Sequence, residues 1–262
     1  MKSFNFKSVT NTKEATKLAG GRATFLAGGM TLLPAMKLRL AGYSDLINIK
    51  KIKNLSGIKV SSKSLRIGAT TTHAEVASSK EVEKSISSIA QLAEGIGDPQ
   101  VRNRGTIGGS VANNDPAADY PSACLALNAT IHTSKRKILA EKFFKGMFET
   151  ALKKGELIQT VEFEIPEISC YMKFPNPASR YALVGVYVAK FSKGVNVAIT
   201  GAQSVAYRDS EIEKALNSNF SPSTLNGINI NSSDLNSDIH ASSEYRANLI
   251  VTLAKRAVAG CK

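Results

Sequence analysis

Apolar positions repeat with two different periods along the first fifty residues, and the switching between them outlines a strand–helix–strand–helix unit. Phe4 to Val9 alternates as a strand does. Asn11 then stands as a helix cap with Glu14 three residues on, and Gly20-Gly21 ends that helix. A second strand, Ala23 to Ala27, runs straight into Gly28-Gly29, and Thr31 is placed to cap a helix over Leu32 to Leu40. Pro34 falls in the first turn of that helix, where its missing N–H costs nothing. From Ser44 to about Pro166 the pattern is mixed: short strands at Leu46 to Ile49, Ile58 to Val60 and Leu65 to Gly68, and one helix over Glu81 to Gly95. The polar, proline-bearing stretch Met172 to Arg180 reads as a connection and predicts a domain boundary near residue 170. Beyond it lie the apolar run Ala182 to Ala189, loops through the Asn- and Ser-rich Asn217 to Ser243, and an amphipathic helix over Glu244 to Ala259. This interleaving predicts an α+β fold, with no internal repeat.

Composition narrows the class. With 262 residues, 43% of them hydrophobic, the chain can fill a real core. Its longest apolar stretches, Leu152 to Phe163 and Ala182 to Ala189, fall far short of the roughly 20 residues that span a bilayer. Met1 to Thr10 has no signal-peptide core, so a cytoplasmic location is expected. Cys124, Cys170 and Cys261 form no CxxC pair, and His73, His132 and His240 are equally scattered, so no metal site is expected within the chain. The net charge of +13 invites a nucleic-acid reading, but the lysines are spread out with no aromatic-interleaved basic cluster. A solvated surface, or one that favours phosphates or an acidic partner, explains the charge more simply. Nucleic-acid binding stands as the competing class.

Two glycine motifs carry the chemistry. Ala27-Gly28-Gly29-Met30-Thr31 and Thr106-Ile107-Gly108-Gly109-Ser110, about 80 positions apart, each join paired glycines to a hydroxyl residue. Such loops can turn backbone N–H groups onto an anion while the hydroxyl donates another bond. Brought together, two could embrace a pyrophosphate. A single motif of this kind is equally a tight turn. Neither matches GxGxxG, and no GxxxxGK[ST] is present, so a dinucleotide would have to bind in a fold other than the Rossmann or P-loop types.

The chain resembles the FAD-binding medium subunit of the molybdenum hydroxylase family, which includes carbon monoxide dehydrogenase and xanthine dehydrogenase. The resemblance rests on AGGMTLLPAMKLR at 27–39, DPQVRNRGTIGGSVANNDPAADYP at 98–121 and KFPNPASRYALVGVYVA at 173–189. The passage from Gly155-Glu156-Leu157-Ile158 to Ile165-Pro166 and the C-terminal EYRANLIVTLAKRAV add to it. It implies a PCMH-type FAD-binding fold of two α/β subdomains, about 1–55 and 56–170, followed by a smaller α+β C-terminal domain of the carbon monoxide dehydrogenase flavoprotein type at 171–262. Residues Ala27, Gly28, Gly29, Met30 and Thr31, with Thr106, Ile107, Gly108, Gly109 and Ser110, would be the phosphate clamps. Met30 stands where relatives often carry a polar residue, a change that a backbone clamp tolerates.

Asp119 matches an acidic position that approaches the flavin nucleotide, the alternative being a helix cap before Tyr120. Tyr181 would lie close to the isoalloxazine ring, or be an ordinary core tyrosine. Arg102 and Arg104 could add positive potential. Gly185 is expected near the ring face. The FAD is expected to be non-covalent, because no histidine or cysteine lies beside the loops in the sequence.

With no acid–base dyad, nucleophile or metal site visible, the flavin would carry the redox chemistry. The resemblance implies an electron-transfer subunit. It would pair with a large molybdopterin-binding subunit and a small subunit holding two [2Fe-2S] clusters, as a dimer of heterotrimers, and pass electrons from the clusters to a terminal acceptor. The cysteine count fits that division. A free-standing FAD-dependent oxidase is the other enzyme reading.

Overall fold

The structure, a computed structural model, describes residues 1–261. Its first sheet is parallel and contains β1 (Asn5–Ser8), β2 (Ala23–Leu26) and β3 (Asp45–Asn48), with β3 in the middle. Helix α1 (Thr12–Leu18) follows β1, and Asn11 caps it by accepting the Glu14 amide at 2.9 Å. Helix α2 (Leu32–Lys37) follows β2. Here the structure corrects two expectations. Thr31 has helical backbone angles and makes no side-chain cap bond, and the helix stops three residues early, where Arg39 turns left-handed at φ +62°.

The second sheet is antiparallel. It holds β4 (Ile58–Val60), β5 (Ser64–Gly68), β6 (Thr130–Thr133), β7 (Lys137–Leu139) and β10 (Ile158–Glu164), in the order β4-β5-β10-β6-β7. A separate hairpin of β8 (Phe144–Gly146) and β9 (Glu149–Thr150) lies between β7 and β10 in the chain. The long excursion from β5 to β6 carries α3 (His73–Ser78), α4 (Lys80–Ser85), α5 (Ser87–Glu94), α6 (Pro99–Arg102), α7 (Ile107–Asn113) and α8 (Tyr120–Ala126), and the short α9 (Ala140–Phe143) follows β7. The single helix expected over Glu81 to Gly95 is two, α4 and α5. At Ile86 the backbone leaves the helical region, at φ −147° and ψ 79°. Val82, Ile86 and Ile89 still lie in one core, at the spacing of a single helix face, so the apolar pattern runs on through the break.

The third sheet is antiparallel in chain order: β11 (Ile168–Pro175), β12 (Ala182–Phe191), β13 (Gly194–Thr200) and β14 (Tyr207–Arg208). Helices α10 (Ser210–Ser218) and α11 (Ser243–Gly260) cover one face. The first four residues of Met172 to Arg180, expected as a connection, are strand, and the turn begins only after Pro175. In β11 the residues Cys170, Met172 and Phe174 pack into the core beneath α11, while Ser169, Tyr171 and Lys173 turn to the opposite side. There Tyr187, Ala189 and Ala198 of the same sheet join the core of the second sheet. Polar and apolar positions alternate because both faces are covered, one by an apolar core and one by a partly polar one. Helix α11 is tied down by Arg246, only 3% exposed, which donates to the Leu183 and Gly201 carbonyls at 2.6 and 3.0 Å and to Asp238 Oδ2 at 2.7 Å. No helix among the described residues is long and apolar enough to cross a membrane.

Candidate functional site

A cleft of about 520 Å³ opens where the end of β2 meets the turns around α6 and α7, a size suited to a cofactor. Ala27, Gly28, Gly29, Met30 and Thr31 line one wall, Thr106, Gly108, Gly109 and Ser110 the other, and Asp119 and Tyr181 lie in the same cleft. Ile107, the remaining expected residue, is fully buried in the core of the second sheet.

The two glycine motifs differ in what they offer. Only Gly29 needs a left-handed backbone, at φ +76°. Gly28 is there for proximity: a Cβ on it would sit 2.8 Å from Gly105 Cα and closer still to the Arg104 carbonyl oxygen, so the first motif touches, backbone to backbone, the turn that leads into the second. Among the described residues, none of the amides from Ala27 to Thr31 donates to a protein acceptor. Five successive unpaired N–H groups at a cleft wall are neutral dipoles of the kind that can receive an anion.

The second motif is not a backbone cradle, contrary to expectation. Four of its five amides are taken: Ile107 donates to Thr71, Gly108 to Ala69 at 2.9 Å, Gly109 to the Thr106 hydroxyl at 3.2 Å and Ser110 to the Thr106 carbonyl. Besides the Thr106 amide, what remains for a ligand is the hydroxyls of Thr106 and Ser110. Thr106 accepts from Gly109, so its own proton is free to donate. Gly108 serves packing, since a Cβ there would meet the Ala69 Cβ at 2.5 Å. Gly109 is more open, its Cβ direction meeting only the Thr106 hydroxyl at 2.9 Å and Ala27 Cβ at 3.9 Å.

Asp119 is 4% exposed and makes no side-chain cap bond, which removes the helix-cap alternative. Its Oδ1 accepts from the Tyr171 hydroxyl at 2.5 Å and the Lys173 ammonium at 2.9 Å. Burial holds its carboxyl above the ordinary carboxylate range, and the Lys173 charge opposes that. Oδ2 accepts no hydrogen bond among the described residues. Tyr181 is 41% exposed at the cleft mouth rather than in a core. Desolvation of its hydroxyl, and then the charge of Asp115, push its phenol up, while the Thr31 hydroxyl works the other way.

The arginines have structural duties. Arg102 donates to the Ile96 and Gly97 carbonyls at 3.2 Å, and Arg180 to Gly97 at 3.1 Å, which fastens the turn that floors the cleft. Arg104 contributes its backbone. Gly185 lies in mid-strand outside the cleft lining, beside Tyr171 and Thr200.

Sequence reasoning missed Asp115 and His73, both in the cleft wall. Asp115 lies within the stretch 98–121, but nothing in its spacing separates it from its neighbours. His73 corrects the expectation that no histidine lies beside the loops: its amide donates to Gly105 and its ring lies 5.5 Å from Tyr120. Burial, aided by the Arg102 charge, lowers its pKa to about 4, so the imidazole is neutral at physiological pH.

A histidine depressed from 6.5 binds its proton more readily in the unfolded chain. Its contribution to stability is therefore complete above about pH 6.5 and is lost as the pH falls towards 4. His73→Gln should show a smaller drop in Tm between pH 7 and pH 5 than the wild type. Equal drops would remove His73 from the acid sensitivity of the fold.

Residues 2–167 match the family described as FAD binding domain in molybdopterin dehydrogenase. Along nearly its whole length the chain is 33% identical to the glyceraldehyde dehydrogenase medium chain of Sulfolobus acidocaldarius, covering 97% of this chain and 96% of that one. The carbon monoxide dehydrogenase medium chain of Hydrogenophaga pseudoflava is 33% identical over 78% of this chain and 77% of its own. The structure superposes on carbon monoxide dehydrogenase from the same organism with a TM-score of 0.89 at 28% identity, covering 98% of this chain and 96% of that one. Against quinoline 2-oxidoreductase of Pseudomonas putida the TM-score is 0.89 at 26% identity, covering 99% and 97%. The family match takes in both glycine motifs and the near-full-length matches take in the third sheet as well, and the chain belongs to the family of FAD-binding domains of molybdopterin dehydrogenases, as an FAD-binding subunit of the molybdenum hydroxylase type.

Proposed function

We propose that this chain is the electron-transfer subunit of a molybdenum hydroxylase complex, most like a carbon monoxide dehydrogenase medium subunit, passing electrons from iron–sulfur clusters to a terminal acceptor. The observation that carries the reading is the run of unpaired amides from Ala27 to Thr31, facing the hydroxyls of Thr106 and Ser110 across one cleft. FAD bound there supplies the capacity to take up and release electrons. The chain's own residues bind and orient it: the amides and hydroxyls neutralise a pyrophosphate without a counter-charge, Asp119 Oδ2 accepts from a sugar or ribityl hydroxyl, and Tyr181 shields the mouth from water.

A large molybdopterin-binding subunit and a small two-[2Fe-2S] subunit, as a dimer of heterotrimers in the cytoplasm, complete the proposal. The names of the relatives as medium chains support a shared complex, and the net charge of +13 suits an acidic partner. The same reading divides the chain into a FAD-binding part, 1–170, with subdomains about 1–55 and 56–170, and a C-terminal part, 171–262. Three sheets support a division of this kind, with β11 crossing residue 170 and one face of the third sheet sharing the core of the second.

Removing the flavin from the reconstituted complex should abolish transfer to the terminal acceptor and leave substrate-dependent reduction of the molybdenum and iron–sulfur centres intact. Absorbance follows the two half-reactions separately. If the flavoprotein alone were bleached by substrate as fast as the whole complex, it would be a free-standing oxidase instead.

A further inference from the structure

We propose that Tyr171 and Lys173 of β11 are positioning residues for the cofactor, fixing Asp119 so that one carboxylate oxygen is held by the protein and the other is presented to the cleft. The inference rests on the reading of the cleft as a FAD site.

Three observations carry it. First, the two donors converge on one atom. Tyr171 and Lys173 stand two residues apart on the same face of β11, and both bind Asp119 Oδ1, at 2.5 and 2.9 Å. Oδ2 keeps both lone pairs and belongs to a residue that lines the cleft. A carboxylate held at one oxygen cannot rotate, so its free oxygen has a fixed direction. An acceptor with a fixed direction selects a hydroxyl at one place on a nucleotide.

Second, the backbone makes room for this arrangement. Gly185 pairs directly with Lys173 across β11 and β12, and a Cβ there would collide with the Tyr171 hydroxyl and lie 3.0 Å from its ring. Gly185 is not left-handed, so the space it leaves, rather than its flexibility, is its use.

Third, Lys173 ties Asp119 to other parts of the cleft. Its ammonium also donates to the Gly95 carbonyl at 2.8 Å and the Arg180 carbonyl at 3.2 Å. Gly95 leads into the turn at Ile96 and Gly97 that floors the cleft, and Arg180 precedes Tyr181 at its mouth. One side-chain nitrogen, 9% of its side chain exposed, thus sets the relative positions of the acidic acceptor, the floor and the aromatic cover.

The test is a double-mutant cycle on the full chain, stripped of flavin and titrated with FAD by fluorescence. Tyr171→Phe keeps the ring and removes one donor. Asp119→Asn removes the charge. Each single change should weaken FAD binding by about tenfold. Because both act through the same carboxylate, the double variant should be no weaker than Asp119→Asn alone. A residue of merely structural importance would not give that non-additivity. Lys173→Arg, which keeps the charge, should bind more tightly than Lys173→Met; if Lys173→Met does not fold, the Tyr171 cycle still decides.

Additive losses in the double variant, or unchanged affinity in Tyr171→Phe or in Asp119→Asn, would overturn the positioning role and leave the FAD site standing. A wild-type chain that takes up no FAD would overturn both.

Discussion

Gly28→Ala is expected to empty the cofactor cleft. The new methyl carbon would lie on the Arg104 carbonyl oxygen and 2.8 Å from Gly105 Cα, and neither atom belongs to a side chain that can swing aside. The loop after β2 and the turn before α7 must then part. Overpacking of this kind costs about 1–3 kcal/mol. At roughly 2–4 °C of Tm per kcal/mol for a chain near this size, the melting point should fall by several degrees. FAD affinity should fall by more, at least about a hundredfold, because parting the motifs moves the amide run away from the hydroxyls it works with.

Gly109→Ala is the contrast. Its Cβ meets only the rotatable hydroxyl of Thr106 and the distant Ala27, so it should lower affinity with little change in Tm. Flavin content after gel filtration and thermal melts of the two variants separate the effects. Should Gly28→Ala retain flavin and melt as the wild type does, the backbone contact of Gly28 with Arg104 and Gly105 is not what shapes the cleft.

Arg246→Met should destabilise the chain by about 2–4 kcal/mol, with a Tm lower by roughly 5–15 °C. The methionine can fill the volume, but it leaves the Leu183 and Gly201 carbonyls without their donor in a buried site and releases Asp238 from its ion pair. Asp238 itself is half exposed and recovers water, so most of the cost falls on the two carbonyls. Denaturant titration measures the loss directly. A change below about 1 kcal/mol would mean that apolar packing beneath α11, rather than Arg246, holds that helix in place.

The sequence made the elements with one clear period legible. Asn11 as the cap of α1, the strands β2 to β5 and the terminal helix α11 stand within a residue or two of their expected places. The third sheet was harder to read because β11 carries polar side chains on a covered face. Ser169, Tyr171 and Lys173 look like solvent-facing positions until their partners Ser88, Asp119 and Gly95 are known, and those lie 52 or more residues away. The split at Ile86 was equally hidden, since a helix period continues through it in Val82, Ile86 and Ile89.

In the site, the glycine motifs were legible as a pair, but their unequal roles were not. Whether an amide is free depends on Thr71 and Ala69 reaching the second motif, which is a fact of tertiary structure. His73 and Asp115 became site residues by the same route.

The position of β11 between two cores bears on the order in which the protein is made. Chains emerge from synthesis amino terminus first, and domains tend to fold as they appear. Both glycine motifs and Asp119 are out long before Tyr171 and Lys173, and β11 has no partner strand until β12 follows it. A nascent chain ending near residue 167 would hold the wall of free amides with Asp119 still without its two donors. FAD should therefore bind in its final pose only once the β11–β12 pair has closed over that wall, which makes cofactor capture a late event in the life of the new chain.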